Sequence, residues 1–272
     1  MKCTQKQIQT FQKHILSWWK TNRRDLPWRR THDPYKIFVS EVMLQQTQVS
    51  RGLPKYLEFI QTFPTVETLA GASPAQVLRM WKGMGYNRRA VYLQKAAKAI
   101  VDIYKGRFPD TEPELTRLPG LGRYTARAIL VFAFKKDIAM VDTNIRQIIT
   151  HFFFYNIPQP EKIIQGVADQ LVPIGKSWEW HQALMDYGAL ELVKKKVEGI
   201  KKKTVPFKET NRYFRGRMLD LLREKKWKRK HLYEKMIELY GKDMDFYFGT
   251  LKGLEKDGLI SSSKTDIISL PE

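Results

Sequence analysis

The chain has 272 residues, 43% of them hydrophobic, with 48 Lys and Arg against 28 Asp and Glu and a formal net charge of +20. That length holds two modest domains, and a charge of this size, about +11 over residues 1–193 and about +9 over 194–272, favours a polyanion, nucleic acid before anionic membrane. No apolar run is long enough for a membrane-spanning helix, no signal peptide opens the chain, and Cys3 is the single cysteine, so the expectation is an intracellular, cytoplasmic protein, nucleoid-associated if bacterial, without a disulfide.

In chain order, residues 1–20 read as a polar helix with an apolar stripe of Ile8, Phe11, Ile15, Trp18 and Trp19. Asp33-Pro34 is a helix start, a capping residue followed by proline at the first helical position. The helix it opens is expected to run to about Val49, with Ile37, Phe38, Met43 and Leu44 on a buried face. Ser40, Glu41, Gln45 and Gln48 fall on a neighbouring face. Further helices are expected over 51–63, 74–82, 87–105 and 111–117, separated by Pro and Gly breaks. The stretch Leu118-Pro119-Gly120-Leu121-Gly122-Arg123-Tyr124 then reads as the turn of a helix–hairpin–helix over about 111–134, the two glycines permitting positive φ. Its bare N–H groups, at the start of a helix over 125–134, suit an anion such as a DNA phosphate. Helices follow over 144–155, 160–171 and 178–193, so the first 193 residues are expected to be all-α.

From 194 to 210 the composition shifts to seven lysines with Gly199 and Pro206, a solvated linker or basic strap and a domain boundary. Residues 211–272 read as helices over 212–223, 230–240 and 243–257, then short apolar runs at 259–260 and 267–270. Three helices followed by a small hairpin is a winged-helix pattern; the plainer alternative is a three-helix bundle with a frayed tail.

Two carboxylates stand out. Glu41 lies among apolar helix neighbours; such a residue is usually solvated or ion-paired, but in a pocket burial would keep it protonated near neutrality. Asp142 precedes a helix start, where capping bonds would hold it ionised.

Taken in order, Leu26-Pro27-Trp28-Arg29, Ser40 to Gln48, Gly83-Met84-Gly85-Tyr86, the hairpin, Val141-Asp142-Thr143-Asn144 and His181 to Asp186 resemble the helix–hairpin–helix DNA glycosylases, most closely the MutY-type adenine glycosylases, over residues 8 to 192. The resemblance implies a mainly α glycosylase fold with a small winged-helix-like C-terminal domain. It implies excision of adenine mispaired with 8-oxoguanine or guanine, with a monomer acting on double-stranded DNA that carries a mismatched or oxidised pair. In it Glu41 is the general acid that protonates adenine N7, Asp142 faces the sugar cation, and Asn144 helps order that site. Tyr124 stands where bifunctional relatives carry a Schiff-base lysine, which implies a monofunctional enzyme without lyase chemistry. Arg29 and Gln182 would contact the flipped adenine between Leu26 and Trp28, and Gln45, Gln46 and Tyr86 would line the substrate site, the last two near the opposite base. Gly120, Gly122, Arg123, Arg127, Arg88 and Arg89 are the expected DNA contacts. The rivals are a thymine or uracil mismatch glycosylase of the same fold and a non-catalytic lesion-binding protein.

Two departures from that family accompany the match. Most members follow the helix over 178–193 with four cysteines that hold an iron–sulfur cluster, whereas Cys3 is the only cysteine here. Neither cluster nor any other metal is therefore expected, with the lysines of 194–203 taking over the lost DNA contacts. Residues 211–272 are also too few for the usual Nudix-like C-terminal module.

Overall fold

The computed structural model describes residues 2–192 and 205–272, and the lysines of 194–203 lie outside the described residues. In chain order it has α1 (Gln5–Asn22), α2 (Pro34–Leu44), α3 (Val49–Thr62), α4 (Val66–Gly71), α5 (Pro74–Met80), α6 (Arg88–Tyr104) and α7 (Glu112–Arg117). There follow α8 (Arg123–Phe132), α9 (Thr143–Phe154), α10 (Glu161–Leu171) and α11 (Ser177–Tyr187), which continues as one π-helical turn, Gly188–Leu192. The C-terminal part holds α12 (Asn211–Glu224), β1 (Trp227–Lys228), α13 (Arg229–Tyr240), α14 (Met244–Lys256), β2 (Ser261–Ser262) and β3 (Ile267–Ser269). No described helix is long and apolar enough to cross a membrane.

The chain divides into two compact units, Met1–Glu41 with Phe108–Lys201, and Val42–Arg107 with Lys202–Glu272. One boundary between the units, Lys201/Lys202, falls within 194–210, but the segment 42–107 groups with the C-terminal residues rather than with residues 1–41 and 108–201.

In the first unit the stripe of α1 folds inward as its spacing dictates. Phe11 and Ile15 are buried, and the Phe11 ring sits 5.1 Å from Phe152 and Phe153 and 5.7 Å from Trp180. Around them Ile145, Ile148, Ile149, Ile164, Val167, Ala183 and Leu184 close a core shared by α1, α9, α10 and α11. A capping box at Thr4 and Gln7 fixes the start of α1.

In the second unit α4 and α6 pack side by side around Leu69, Leu93, Ala97 and Ile100. Short α4 went unrecognised in the sequence; its six residues are held by a capping box at Thr65 and Thr68. The C-terminal residues form a winged-helix arrangement, with an antiparallel sheet in the order β1-β3-β2, pairing Trp227 with Ile268 and Ser261 with Ser269. Phe214 of α12 packs against Phe246 and Tyr247 of α14. Strand β1, two residues long, had no legible pattern. The winged module is bolted to α5 and α6 of its own unit by Arg223, which is 9% exposed. Its Nε donates to Leu78 O (2.9 Å) and its Nη2 to Asn87 Oδ1 (2.8 Å), and Ala75 N donates to Pro271 O (2.9 Å).

Candidate active site

Three ionisable side chains of the first unit meet at one buried point. Glu41, near the end of α2, is 8% exposed. Burial first, then the nearby charge of Asp142, pushes its carboxyl up to about 7, against the lowering pull of a hydrogen bond with Tyr124 and of the Arg29 charge. Tyr124, in the first turn of α8, has its phenol pushed well above the usual tyrosine range by burial and by Glu41 and Asp142, so it is a neutral hydrogen-bond donor to Glu41. Asp142 caps α9, accepting from Ile145 N (2.7 Å) and from the Asn144 side-chain amide (3.1 Å). The capping expected from sequence is present, but it does not set the sign. Burial outweighs the capping bonds, and the carboxyl lies above its ordinary value. Because Asp142 keeps backbone and amide donors while Glu41 keeps one phenol, the proton of the pair resides on Glu41.

The segment leading to Asp142 is pinned by His181, which the sequence gave no role, and by Arg127, which it gave a different one. His181 Nε2 accepts from Met140 N (3.2 Å), and its Nδ1 hydrogen-bonds Ser177 O (2.7 Å). Burial lowers this imidazole to about 4, so it is neutral at pH 7. Arg127 Nη1 donates to Ala139 O (2.7 Å) while its Nε pairs with Glu112 (2.7 Å). Arg127 is thus engaged in structure rather than free for the phosphate contact expected of it. Gly188, at the start of the π turn, lies against Asn144; a Cβ there would come within 2.7 Å of the Asn144 Cβ. The π turn, a feature that often marks functional sites, brings backbone against the residue that orients Asp142.

Arg29 also departs from expectation. Both of its Nη groups are taken by Asp186 (2.7 and 2.8 Å), and Nη1 also donates to Arg24 O (3.0 Å). Asp186 collects Trp19 Nε1 (2.9 Å), Arg24 N (3.1 Å) and Arg24 Nε (2.5 Å) as well. Burial pushes the Asp186 carboxyl up, but the hydrogen bonds and charge of Arg29, with those of Arg24, carry it below its ordinary value. Of the Arg29 donors only Nε is buried without a protein partner among the described residues. Leu26, Trp28 and Gln182 are all buried.

The hairpin forms as read, with one correction. Only Gly120 needs a positive φ (77°), while Gly122 is the N-cap of α8 in an extended conformation, φ −88° and ψ 173°. No side chain caps α8, and a helix start of this kind is a suitable seat for an anion. Arg123 is 57% exposed but paired with Glu112 at 2.9 Å.

The remaining expected residues belong to the second unit. Helix α2 stops at Leu44 rather than Val49, because Gln46 adopts φ 52°, so Gln45 and Gln46 lie on a turn and Gln48 is the extended N-cap of α3 rather than part of one helix face. Arg89 explains this turn. Its guanidinium donates to Val42 O, Met43 O and Gln45 O (2.9, 3.0 and 2.6 Å) and to Thr47 Oγ1 (3.2 Å), and also to Met84 O and Gly85 O (3.1 and 3.2 Å). Burial lowers it to about 10, which leaves it charged at pH 7. Arg89 therefore ties the Gln45–Thr47 turn to the Gly83–Tyr86 turn and is not a phosphate contact. Tyr86, at φ 45°, presents a ring 39% exposed. Arg88 is exposed and bonds the Tyr92 hydroxyl (2.6 Å).

A helix–hairpin–helix beside a buried acid–carboxylate pair defines a class of DNA-acting proteins, and comparison with known proteins agrees. A family description, "HhH-GPD superfamily base excision DNA repair protein", matches residues 39–172. The chain is 37% identical over 232 residues to the adenine DNA glycosylase of Mycolicibacterium smegmatis, covering 77% of this chain and 79% of that one. It is also 37% identical over 187 residues to the adenine DNA glycosylase of Buchnera aphidicola subsp. Baizongia pistaciae, covering 68% of this chain but 53% of that one, so the chain spans about half the length of that relative. A solved thermostable thymine-DNA glycosylase is 33% identical with a TM-score of 0.65, covering 70% of this chain and 89% of its own. The chain belongs to the HhH-GPD superfamily of base excision DNA repair proteins.

Proposed function

We propose that this protein is a monofunctional DNA glycosylase that hydrolyses the N-glycosidic bond of adenine mispaired with 8-oxoguanine or guanine. The observation that carries the reading is Glu41, a buried carboxylic acid near pH 7, set against a capped Asp142. Adenine leaves slowly as an anion and readily as a neutral base. The Glu41 proton passes to N7 of a base flipped out of the duplex, the C1′–N9 bond breaks, and Asp142 offsets the charge that grows on the sugar. Asn144 holds Asp142 in place, and water attack at C1′ with loss of a proton leaves an abasic site. Arg29 Nε, Gln182, Leu26 and Trp28 are the groups assigned to hold the base. The start of α8 with Gly120, Gly122 and Arg123, together with Arg88, is assigned to the phosphates.

Tyr124 is a neutral phenol where lyase chemistry needs an amine, so no Schiff base forms. Cys3, buried in the first unit and the single cysteine of the chain, does not fit an iron–sulfur cluster, which takes four thiolates; no step uses one. The protein acts as a monomer on double-stranded DNA. The likeness to a thymine-DNA glycosylase and to a thymine/uracil-DNA glycosylase supports a second reading, excision of a mismatched thymine or uracil. An acid at Glu41 favours adenine, since purine N7 is the basic site that needs a proton.

Duplexes carrying A:8-oxoguanine, A:G, T:G and U:G, incubated with the protein and then treated with alkali, test this directly. Adenine release that disappears in Glu41→Gln supports the reading, and release of thymine or uracil alone overturns it in favour of the second. Strand breaks without alkali, or trapping of the protein on DNA by borohydride, overturn the monofunctional assignment.

A further inference from the structure

The C-terminal module offers two surfaces to DNA, and they differ sharply in chemistry. In a winged helix the usual reading element is the third helix, here α14. Its charges balance, Asp245 and Glu255 against Lys252 and Lys256. Its outward residues include Met244 and Phe248, 49% and 42% exposed, with Lys252 over the Phe248 ring. Such a face carries no net positive charge to hold a phosphate backbone.

The other surface lies at the first turn of α12. Exposed Arg212 stacks over the Tyr86 ring with its Cζ 4.8 Å from the centroid, and over Phe207 at 5.2 Å, and it hydrogen-bonds the Tyr86 hydroxyl. No carboxylate pairs with Arg212 among the described residues, so its charge is not spent within the protein. Phe207 is 54% exposed and packs edge-on against Tyr213. Tyr86 itself is strained into left-handed backbone, which for a bulky residue points to a purpose. Arg89, 5.5 Å below the same ring, holds the turn. The result is a solvent-facing ladder of aromatic and guanidinium planes, the kind of surface on which an unpaired nucleobase stacks.

We propose that Tyr86, Arg212 and Phe207 form a stacking platform for a DNA base that has lost its partner, so that the C-terminal module reads DNA through the start of α12 and not through α14. This rests on the DNA glycosylase reading, because base flipping is what leaves such a base unpaired. It also gives the module a part in choosing the opposite base, with Arg212 as the specificity-determining residue.

The test is binding of the full chain to a duplex with an abasic analogue opposite 2-aminopurine, read by anisotropy and by 2-aminopurine fluorescence, beside the same duplex fully paired. Arg212→Ala and Phe207→Ala should each weaken binding of the abasic duplex roughly ten-fold, lose the fluorescence change, and weaken the paired duplex less. Arg212→Lys should fall between, keeping charge without a stacking plane. Lys252→Ala and Phe248→Ala on α14 should stay within about two-fold of the unsubstituted protein. Thermal melting identifies a variant that fails to fold, and Phe207→Ala then carries the test if Arg212→Ala is lost. Unchanged binding by the folded platform variants overturns the proposal, as does an equal loss on both duplexes or a matching loss in the α14 variants. A parent protein that binds neither duplex sinks the glycosylase reading instead.

Discussion

Glu41 and Asp186 are both buried carboxylates of the same unit, yet they hold their protons in opposite ways. Glu41 has one neutral phenol and a neighbouring carboxylate, and it rises to about 7. Asp186 has two arginines, an indole and a backbone amide, and it falls below its ordinary value. Burial penalises both charges, so the number and charge of donors decides the outcome. A poised acid needs desolvation without partners, and a structural acid needs its partners supplied before it is desolvated. The two also share Arg29, which is bonded to Asp186 and exerts a lowering pull on Glu41.

Breaking the poised member should have the largest effect. Glu41→Gln should lower single-turnover base release by about 10²–10⁴-fold while leaving duplex affinity nearly intact. Because the native carboxyl holds its proton above the usual glutamate range, its ionisation opposes folding as pH rises from the ordinary value through about 7. The same variant should therefore be more stable than the parent above pH 7, by up to about 3 kcal/mol of unfolding free energy read from denaturation midpoints. Equal melting across pH would show that Glu41 is solvated.

Breaking the structural member should act on stability first. Asp186→Asn strands Arg24 and Arg29, and removing one side of a buried pair costs about 3–5 kcal/mol, read as a lower denaturation midpoint. If Asp186→Asn lost activity with its stability unchanged, Asp186 would belong to the chemistry instead. Gly188→Ala should be milder, about 1–3 kcal/mol of overpacking against Asn144, with base release falling more than affinity.

The pH profile sharpens the contrast further. Base release should decline as pH rises through about 7, where Glu41 loses its proton, and should also decline in acid as Asp142 gains one. Tyr124→Phe should give the smallest change, moving the alkaline limb upward by less than about one unit, since the phenol hydrogen bond lowers Glu41. A downward move would mean that the hydroxyl acts on the protonated form.

Helix positions along the chain were legible wherever a stripe, a cap or a glycine announced them, as at Phe11 and Ile15, Asp33-Pro34 and Gly120. Legibility failed where a few residues were governed by distant partners. Helix α2 stops at Leu44 because Arg89, some forty residues on, draws the carbonyls of Val42, Met43 and Gln45 to itself. Helix α4 and strand β1 are too short to carry a period. Arg89 and Arg127 looked like phosphate contacts because spacing does not distinguish an arginine turned outward from one turned onto carbonyls. His181 had no signal beyond its place in the stretch that led to Asp186, and Gly188 had none.

What the sequence alone determined was the fold class, because helical periodicity and turn glycines are local and survive in one dimension; it also singled out Glu41 and Asp142 as the two carboxylates to watch. The tertiary structure alone decided which charges are spent. Whether a carboxylate is an acid or an anchor, and whether an arginine grips DNA or the protein's own backbone, depends on burial and on donors that arrive from far along the chain. Desolvation and hydrogen bonding are properties of the folded neighbourhood, and no spacing in the sequence encodes them.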